Sequence, residues 1–165
     1  MKAFIIAALT ADGFIAKNSA HTPLGWTSKE DKQFFVERTK EAGVVVMGKN
    51  TYETIGRPFP GRHTIVYAGE GQQYEGAEVT QKSPQELLED LEKRGFKELA
   101  ICGGSTIYTM FMEAGVVDTI YLTVEPVLFG QGMSLFNKEL DVKLRLVESK
   151  KIGDNTLLIE YGVGN

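Results

Sequence analysis

Asp31 and Phe35 stand four residues apart in the stretch Ser28-Lys29-Glu30-Asp31-Lys32-Gln33-Phe34-Phe35. On a helix that spacing puts both on one face, with Phe34 and Arg38 flanking them. A carboxylate set against aromatic rings needs a partner. A flat amidine or guanidine edge on a ligand offers two N–H groups in the matching fork. The plainer alternative is a solvated acid complementing the dipole at a helix start, and Glu30 is a rival for either role. Gly48-Lys49-Asn50-Thr51 and Gly103-Gly104-Ser105-Thr106 each set glycine ahead of amine, amide or hydroxyl donors where an apolar run ends. A helix start leaves backbone N–H groups unpaired and can hold a phosphate. Two such joints suit a diphosphate-bridged dinucleotide. Neither matches the glycine spacing of the ordinary dinucleotide fold or phosphate loop, and Gly103-Gly104 could equally be a tight turn. Arg62 follows the stiff loop Gly56-Arg57-Pro58-Phe59-Pro60-Gly61 and can grip a carboxylate or phosphate bidentately. Its alternative is a surface arginine after a turn.

The elements that must position these groups follow from the apolar pattern. Residues 3–9 read as a continuous strand with both faces covered. Residues 10–25 read as a long loop, closed by Trp26. Thr27 or Ser28 caps a helix running to about Ala42, which Gly43 stops. Residues 44–47 are a buried β-branched strand ended by Gly48, and Lys49-Asn50-Thr51 opens a short helix. Residues 63–68 form another strand, and residues 69–76 a loop. Ser83-Pro84-Gln85-Glu86 starts a helix with a capping serine, proline at the first position and a reciprocal glutamate; it ends near Arg94-Gly95. A strand at 99–102, a helix at 107–114, a strand at 117–124 and a Gly-rich loop at 126–137 follow. Residues 140–152 and 155–161 flank the Gly153-Asp154-Asn155 turn as a terminal hairpin. The alternation predicts an α/β class: a single mostly parallel sheet flanked by helices, ending in an antiparallel C-terminal hairpin, as one domain over residues 1–165.

Composition narrows the function further. A chain of 165 residues can bury a core without staples, and 42% hydrophobic with 24% charged residues is ordinary for a soluble globular protein. The net charge of −4 gives no general attraction to nucleic acid or anionic membrane, so an anionic ligand must be held by local groups. Cys102 is the only cysteine, which rules out an internal disulfide, and at the end of a buried strand it reads as packing. Met1 to Leu9 has the lysine and apolar run of a short signal peptide. Thr10-Ala11-Asp12-Gly13 breaks that run, and no later stretch reaches roughly eighteen apolar residues, so the expected location is cytoplasmic. His21 and His63 share no metal-ligand spacing with Cys102 or a carboxylate pair, and no metal is expected. Tyr108 and Phe111 fit the inward stripe of their helix, with Tyr108 near the second glycine joint.

With these residues in view, the chain resembles dihydrofolate reductase from Phe4 to about Phe136. The matches are Ile6-Ala7-Ala8-Leu9, Trp26 with Asp31 and Phe35, the run from Gly48 to Arg62, Gly103-Gly104 with Tyr108 and Phe111, and Tyr121-Leu122-Thr123. The segment from Thr51 to Arg62 is the specific part; the rest supports it by order and spacing. The resemblance implies hydride transfer from NADPH to the pterin of 7,8-dihydrofolate, giving 5,6,7,8-tetrahydrofolate. Asp31 would hold the amidine edge of the pterin and favour protonation of the ring nitrogen beside the carbon that receives hydride. Thr123 would hydrogen-bond the same acid and the ligand. Phe35 and Ile55 would line the pterin and aryl pocket, Ala8 would touch the pterin through its backbone, and Arg62 would bind the glutamate carboxylate. Ala7, Ile15, Lys49, Asn50, Thr51, Cys102, Gly103, Gly104, Ser105, Thr106 and Tyr108 would carry the dinucleotide.

Three departures shape the alternatives. Ala11-Asp12-Gly13-Phe14-Ile15-Ala16 and Pro126-Val127-Leu128-Phe129-Gly130-Gln131-Gly132, with Leu135-Phe136, look more like the related pyrimidine reductases of riboflavin synthesis. The loop before Trp26 lacks the proline usual there in dihydrofolate reductases. Ala68-Gly69 and Thr106 stand where the family often places groups for the 2′-phosphate, which weakens NADPH over NADH unless Lys49 and His63 compensate. A riboflavin-pathway reductase, and a pterin- or dinucleotide-binding protein without turnover, are the competing expectations. Arg62 and the Pro-Gly-Arg string favour folate. Monomer and homodimer both fit the sequence.

Overall fold

Strand β1 (Lys2–Thr10) runs through the middle of the molecule and sends alternate side chains into two apolar clusters. Ala3, Ile5 and Ala7 enter one, and Phe4 and Ile6 the other. With both faces filled, the strand reads as an unbroken apolar run rather than as an alternation. The computed structural model describes residues 1–164.

The chain continues through β2 (Phe14–Ala16), one 3₁₀ turn (Pro23–Gly25), α1 (Lys29–Ala42), β3 (Val44–Gly48), α2 (Lys49–Ile55), β4 (His63–Tyr67) and β5 (Ala77–Thr80). After these come α3 (Pro84–Lys93), β6 (Glu98–Ile101), α4 (Ser105–Glu113), β7 (Thr119–Glu125), β8 (Met133–Ser134), β9 (Leu144–Ile152) and β10 (Thr156–Val163). The main sheet has the order β5-β4-β3-β6-β1-β7-β10-β9, while β2 and β8 form a separate pair. Strands β5 to β7 in that order are mutually parallel, and β10 joins β7 antiparallel with β9 as its hairpin partner. Leu87 and Leu91 of α3 and Ile107 and Phe111 of α4 pack in the first cluster; Ala42 of α1 and Tyr52 of α2 pack in the second. Each face of the sheet therefore carries two helices. The expected fold class holds.

Local signals set the boundaries. Ser28, not Thr27, caps α1, its hydroxyl accepting from Asp31 N at 3.1 Å, and Gly43 closes the helix in the left-handed conformation. The capping box of α3 is complete: Ser83 Oγ accepts from Glu86 N, and Glu86 Oε2 accepts from Ser83 N. Four expectations need correction. The segment 10–25 is not one loop, since it contains β2 and the 3₁₀ turn, and β8 likewise lies inside the expected loop 126–137. Strands of three and two residues are too short to leave a periodic signal. The four-residue edge strand β5 was missed for the same reason. Helix α4 begins at Ser105 rather than Ile107, because Gly104 adopts the extended cap conformation and hands over at once.

Candidate active site

One face of α1 lies along one face of β7, and the two are joined rung by rung. Phe34 packs edge-on against Tyr121 with ring centres 5.6 Å apart. The Thr123 hydroxyl donates to the Asp31 carboxylate. The backbone N–H and the hydroxyl of Ser28 donate to Glu125 at 3.0 and 2.9 Å. Helix residues 28, 31 and 34 thus meet strand residues 125, 123 and 121, because the helical repeat of three to four matches the strand repeat of two. Ala8 lies beside Thr123 in the parallel register of β1 and β7, so its backbone borders Asp31's partner.

Asp31 and Glu30, interchangeable by sequence, part company here. Glu30 reaches to the β9–β10 turn and lies so close to Gly153 that a Cβ there would come within 2.7 Å of its carboxyl carbon. Asp31 is partly buried and turned toward Thr123. Burial raises its pKa, the Thr123 hydroxyl lowers it, the Glu125 charge raises it again and Lys32 opposes the rise. A carboxyl held in this way is reluctant to ionise and gains from a ligand that brings donors.

Beside it, Phe35 meets Phe59 edge-on at 5.5 Å, and the Arg62 guanidinium lies 4.8 Å from the Phe59 ring centre. Arg62 is held by Nε to Pro60 O at 3.0 Å and by Nη1 to Thr39 Oγ1 at 2.9 Å. Burial lowers its pKa, and no carboxylate pairs with it among the described residues. A fixed, partly desolvated guanidinium lacking an anion is suited to receive one. Ile55 closes α2 against the same cluster. Between α2 and the segment after β2 runs a groove of about 490 Å³ lined by Ser19, Ala20, Thr22, Asn50, Glu53 and Thr54.

The two glycine joints meet across neighbouring strands. Gly48 N donates to Gly103 O at 2.8 Å, a Cβ on Gly48 would lie 3.1 Å from Ile107 Cγ1, and one on Gly104 would lie 3.4 Å from Thr51 Oγ1. Gly103 has φ of +112°, and a Cβ there would approach the Tyr108 hydroxyl at 3.2 Å. No side chain caps α4, so the N–H groups of its first turn carry no side-chain partner at the joint. The backbone cradle fits a phosphate-bearing cofactor. The side chains fit unevenly. Thr106 is exposed and its hydroxyl accepts from Asn137 Nδ2 at 3.0 Å, which leaves its proton free to donate. Ser105 does not offer its hydroxyl, which is buried and donates to Ser134 O at 2.5 Å. Tyr108 donates to Ile6 O at 2.9 Å, inside the core. Burial pushes the Cys102 thiol up, so it stays a neutral packing group beside the joint. Helix α2 is only seven residues long and contributes the side chains of Lys49, Asn50 and Thr51, with Lys49 Nζ 4.0 Å from Glu53. Ala7 and Ile15 pack on the α4 side of β1.

His63 cannot serve a 2′-phosphate beside Ala68. It begins β4 while Ala68 follows its end, about 16 Å away along an extended strand. Its Nε2 instead meets Glu78 at 2.5 Å. Glu125 and Thr156 were missed by sequence reasoning: Glu125 is buried and also takes a bond from Thr156 Oγ1 at 3.2 Å. The signal was present, since Tyr121, Thr123 and Glu125 share one phase of the strand. No group of His, Cys, Asp or Glu among the described residues is arranged to hold a metal.

The family model described as "Dihydrofolate reductase" matches residues 2–153. The dihydrofolate reductase type 3 of Salmonella typhimurium is 35% identical over 122 residues, covering 72% of this chain and 68% of its own. The structure of dihydrofolate reductase from Enterococcus faecalis, complexed with NADP(H) and the compound RAB-propyl, superposes with a TM-score of 0.81 at 27% identity, over 99% of this chain and 97% of that one. A diaminohydroxyphosphoribosylaminopyrimidine deaminase/5-amino-6-(5-phosphoribosylamino)uracil reductase of Thermotoga maritima shares the fold with a TM-score of 0.79 at 17% identity, over 98% of this chain and 56% of that one.

Proposed function

The chain belongs to the dihydrofolate reductase family, and from that premise we propose that it reduces 7,8-dihydrofolate to 5,6,7,8-tetrahydrofolate with NADPH in the cytoplasm. The observation that carries the proposal is the partly buried Asp31, held by Thr123 in the aromatic corner formed with Phe35 and, among the described residues, bonded to no cation. The 2-amino group and adjacent ring N–H of a pterin present the two-donor edge such a carboxylate lacks. When bound, NADPH supplies the hydride. Asp31 orients the ring and favours a proton on the nitrogen next to the carbon that accepts hydride. Thr123 fixes the carboxylate and extends its hydroxyl oxygen toward the same edge. Arg62, tied to Thr39 and Pro60, takes the glutamate carboxylate at the far end of the substrate. Gly103, Gly104 and the first turn of α4 hold the diphosphate, with Lys49, Thr51 and Thr106 supplying donors around it.

The test is NADPH oxidation by the purified protein with 7,8-dihydrofolate, followed by absorbance. Turnover that methotrexate blocks supports the assignment; absence of turnover with NADPH still bound refutes it. A pyrimidine reductase is the second reading, favoured by one feature. The two strings that depart from dihydrofolate reductase are joined to each other: Asp12 accepts from Phe129 N and Gly130 N at 3.2 and 2.6 Å, and β2 pairs with β8. Oxidation of NADPH with a ribosylamino-pyrimidine substrate, and none with dihydrofolate, would establish it.

A further inference from the structure

Glu125 is 2% exposed, and among the described residues no cation pairs with it. Its partners are Ser28 N, Ser28 Oγ and Thr156 Oγ1, so it gathers the ends of β7 and β10 onto the first turn of α1. Buried carboxylates without a cation are unusual and are tolerated only when donors surround them. The ring of donors is shared with Asp31. The Ser28 hydroxyl that donates to Glu125 is the same one that accepts from Asp31 N. Glu125 also stands one rung along β7 from Thr123, which binds the Asp31 carboxylate.

We propose that Glu125 is a positioning residue for Asp31: it clamps the start of α1 to the sheet so that Asp31 meets Thr123, and it holds a second carboxylate one rung along β7 from the acid. The proposal rests on Asp31 as the pterin acid. Two residues along a strand are roughly 7 Å apart, within one screening length even in salt. The groups facing Asp31 are Glu125 and Thr123 from β7, Lys32 from its own helix and the Tyr108 phenol from α4. Of these only the Glu125 carboxylate acts in the same direction as burial on Asp31. Lys32 offsets it, but its amine is drawn outward to Leu24 O at 2.9 Å. The clamp therefore has two consequences. Geometry places the acid, and the neighbouring carboxylate acts with burial to raise its proton affinity against Thr123 and Lys32.

Glu125→Gln separates them, since the amide keeps an acceptor for Ser28 N and loses the charge. The test is the titration of the Asp31 side-chain carboxyl, followed by carbon NMR in the ligand-free protein and assigned by its disappearance in Asp31→Asn. The midpoint is expected to fall by roughly half to one and a half pH units in Glu125→Gln, and the alkaline limb of kcat/KM for dihydrofolate moves down with it. A midpoint that stays put or rises overturns the proposal. If Glu125→Gln does not fold, Ser28→Ala replaces it. That variant leaves the charge on Glu125 with one donor fewer, and the Asp31 midpoint is expected to rise; no change, or a fall, refutes the coupling. The titration needs no substrate, so its failure is distinct from a failure of dihydrofolate turnover. A shifted midpoint in a protein that does not turn over dihydrofolate would leave the coupling standing and remove the folate assignment.

Discussion

Replacing Asp31 by asparagine should make the ligand-free protein more stable at neutral pH while disabling it. Burial, reinforced by Glu125, raises the pKa of Asp31 against the opposing pull of Thr123 and Lys32. The folded protein therefore keeps this proton to higher pH than the unfolded chain, whose reference value is 3.8. Above that value the folded state binds more protons than the unfolded one. Stability must then fall as pH climbs from 3.8 to the folded midpoint, and stay reduced beyond it. Asparagine has nothing to ionise, and its amide oxygen still accepts the Thr123 hydroxyl. Each unit of lift corresponds to about 1.4 kcal/mol, so Asp31→Asn should gain stability near pH 7 in proportion to that lift. For a chain of this size each kcal/mol gained is about 2–4 °C in Tm. Below the unfolded value both proteins carry a neutral group, and the gain should vanish. The assay is thermal unfolding by circular dichroism, comparing the two proteins at matched pH from acid to neutral. A lower Tm for the variant at neutral pH, or a gain of equal size at both ends, would show that the site does not oppose the charge of Asp31.

The same substitution should lower NADPH-dependent turnover of dihydrofolate about a hundredfold or more at neutral pH, whereas Glu30→Gln, whose side chain lies over Gly153, should turn over at near-parental rates; the reverse pattern would exchange their roles. Arg62→Leu should raise KM for dihydrofolate about tenfold to a hundredfold through the lost charge-assisted pair, with kcat little changed. Stability should drop by less than about 1 kcal/mol, because Thr39 keeps its bond to Phe35 O at 2.7 Å. An unchanged KM would count against a substrate bearing a carboxylate. Gly103→Ala combines a φ of +112° with a 3.2 Å approach to the Tyr108 hydroxyl and should cost about 1–3 kcal/mol in denaturant unfolding. It should also weaken NADPH in a fluorescence titration. Full stability in that variant would mean that the joint relaxes without strain.

What could be read in advance was whatever repeats or punctuates. Five of the six parallel strands were legible as apolar runs, α3 as a capping serine, proline and glutamate, and the glycine joints as glycines at the ends of Val44-Val45-Val46-Met47 and Leu99-Ala100-Ile101-Cys102. Strand β5 escaped because four residues carry too little periodicity. The β2–β8 pair escaped because it is long-range: Phe14 meets Ser134, and no local pattern announces a partner so far along the chain. Ser105 looked like a phosphate donor by type and place, yet its hydroxyl is taken by a carbonyl on that same β8. Hydroxyl placement is decided by tertiary contacts that local sequence does not encode. His63 failed for a simpler reason. It begins β4 and Ala68 follows the other end, and an apolar run does not show that a residue at one end cannot serve a ligand at the other.

Glu125 shows where a stricter reading would have succeeded. Strand β7 shows two phases: Tyr121, Thr123 and Glu125 on one face, Ile120, Leu122 and Val124 on the other. An acid in a phase that also holds an aromatic and a threonine cannot be a simple surface charge if that face meets a helix. Its partner had to come from the helix start, where unpaired N–H groups are available, and Ser28 supplies both a backbone and a side-chain donor. The fold and the site therefore cannot be separated along this seam. The same contact between α1 and β7 closes the core at Phe34 and Tyr121, presents the acid at Asp31 and Thr123, and anchors the helix at Ser28 and Glu125. An insertion of one residue in α1 between Ser28 and Asp31 would rotate the acid, and Phe34 with it, by about 100° relative to the Ser28–Glu125 anchor, taking Asp31 off Thr123 and Phe34 off Tyr121. A protein so altered should keep its sheet and lose the acid's raised proton affinity, because the environment that raises it lies on that one face.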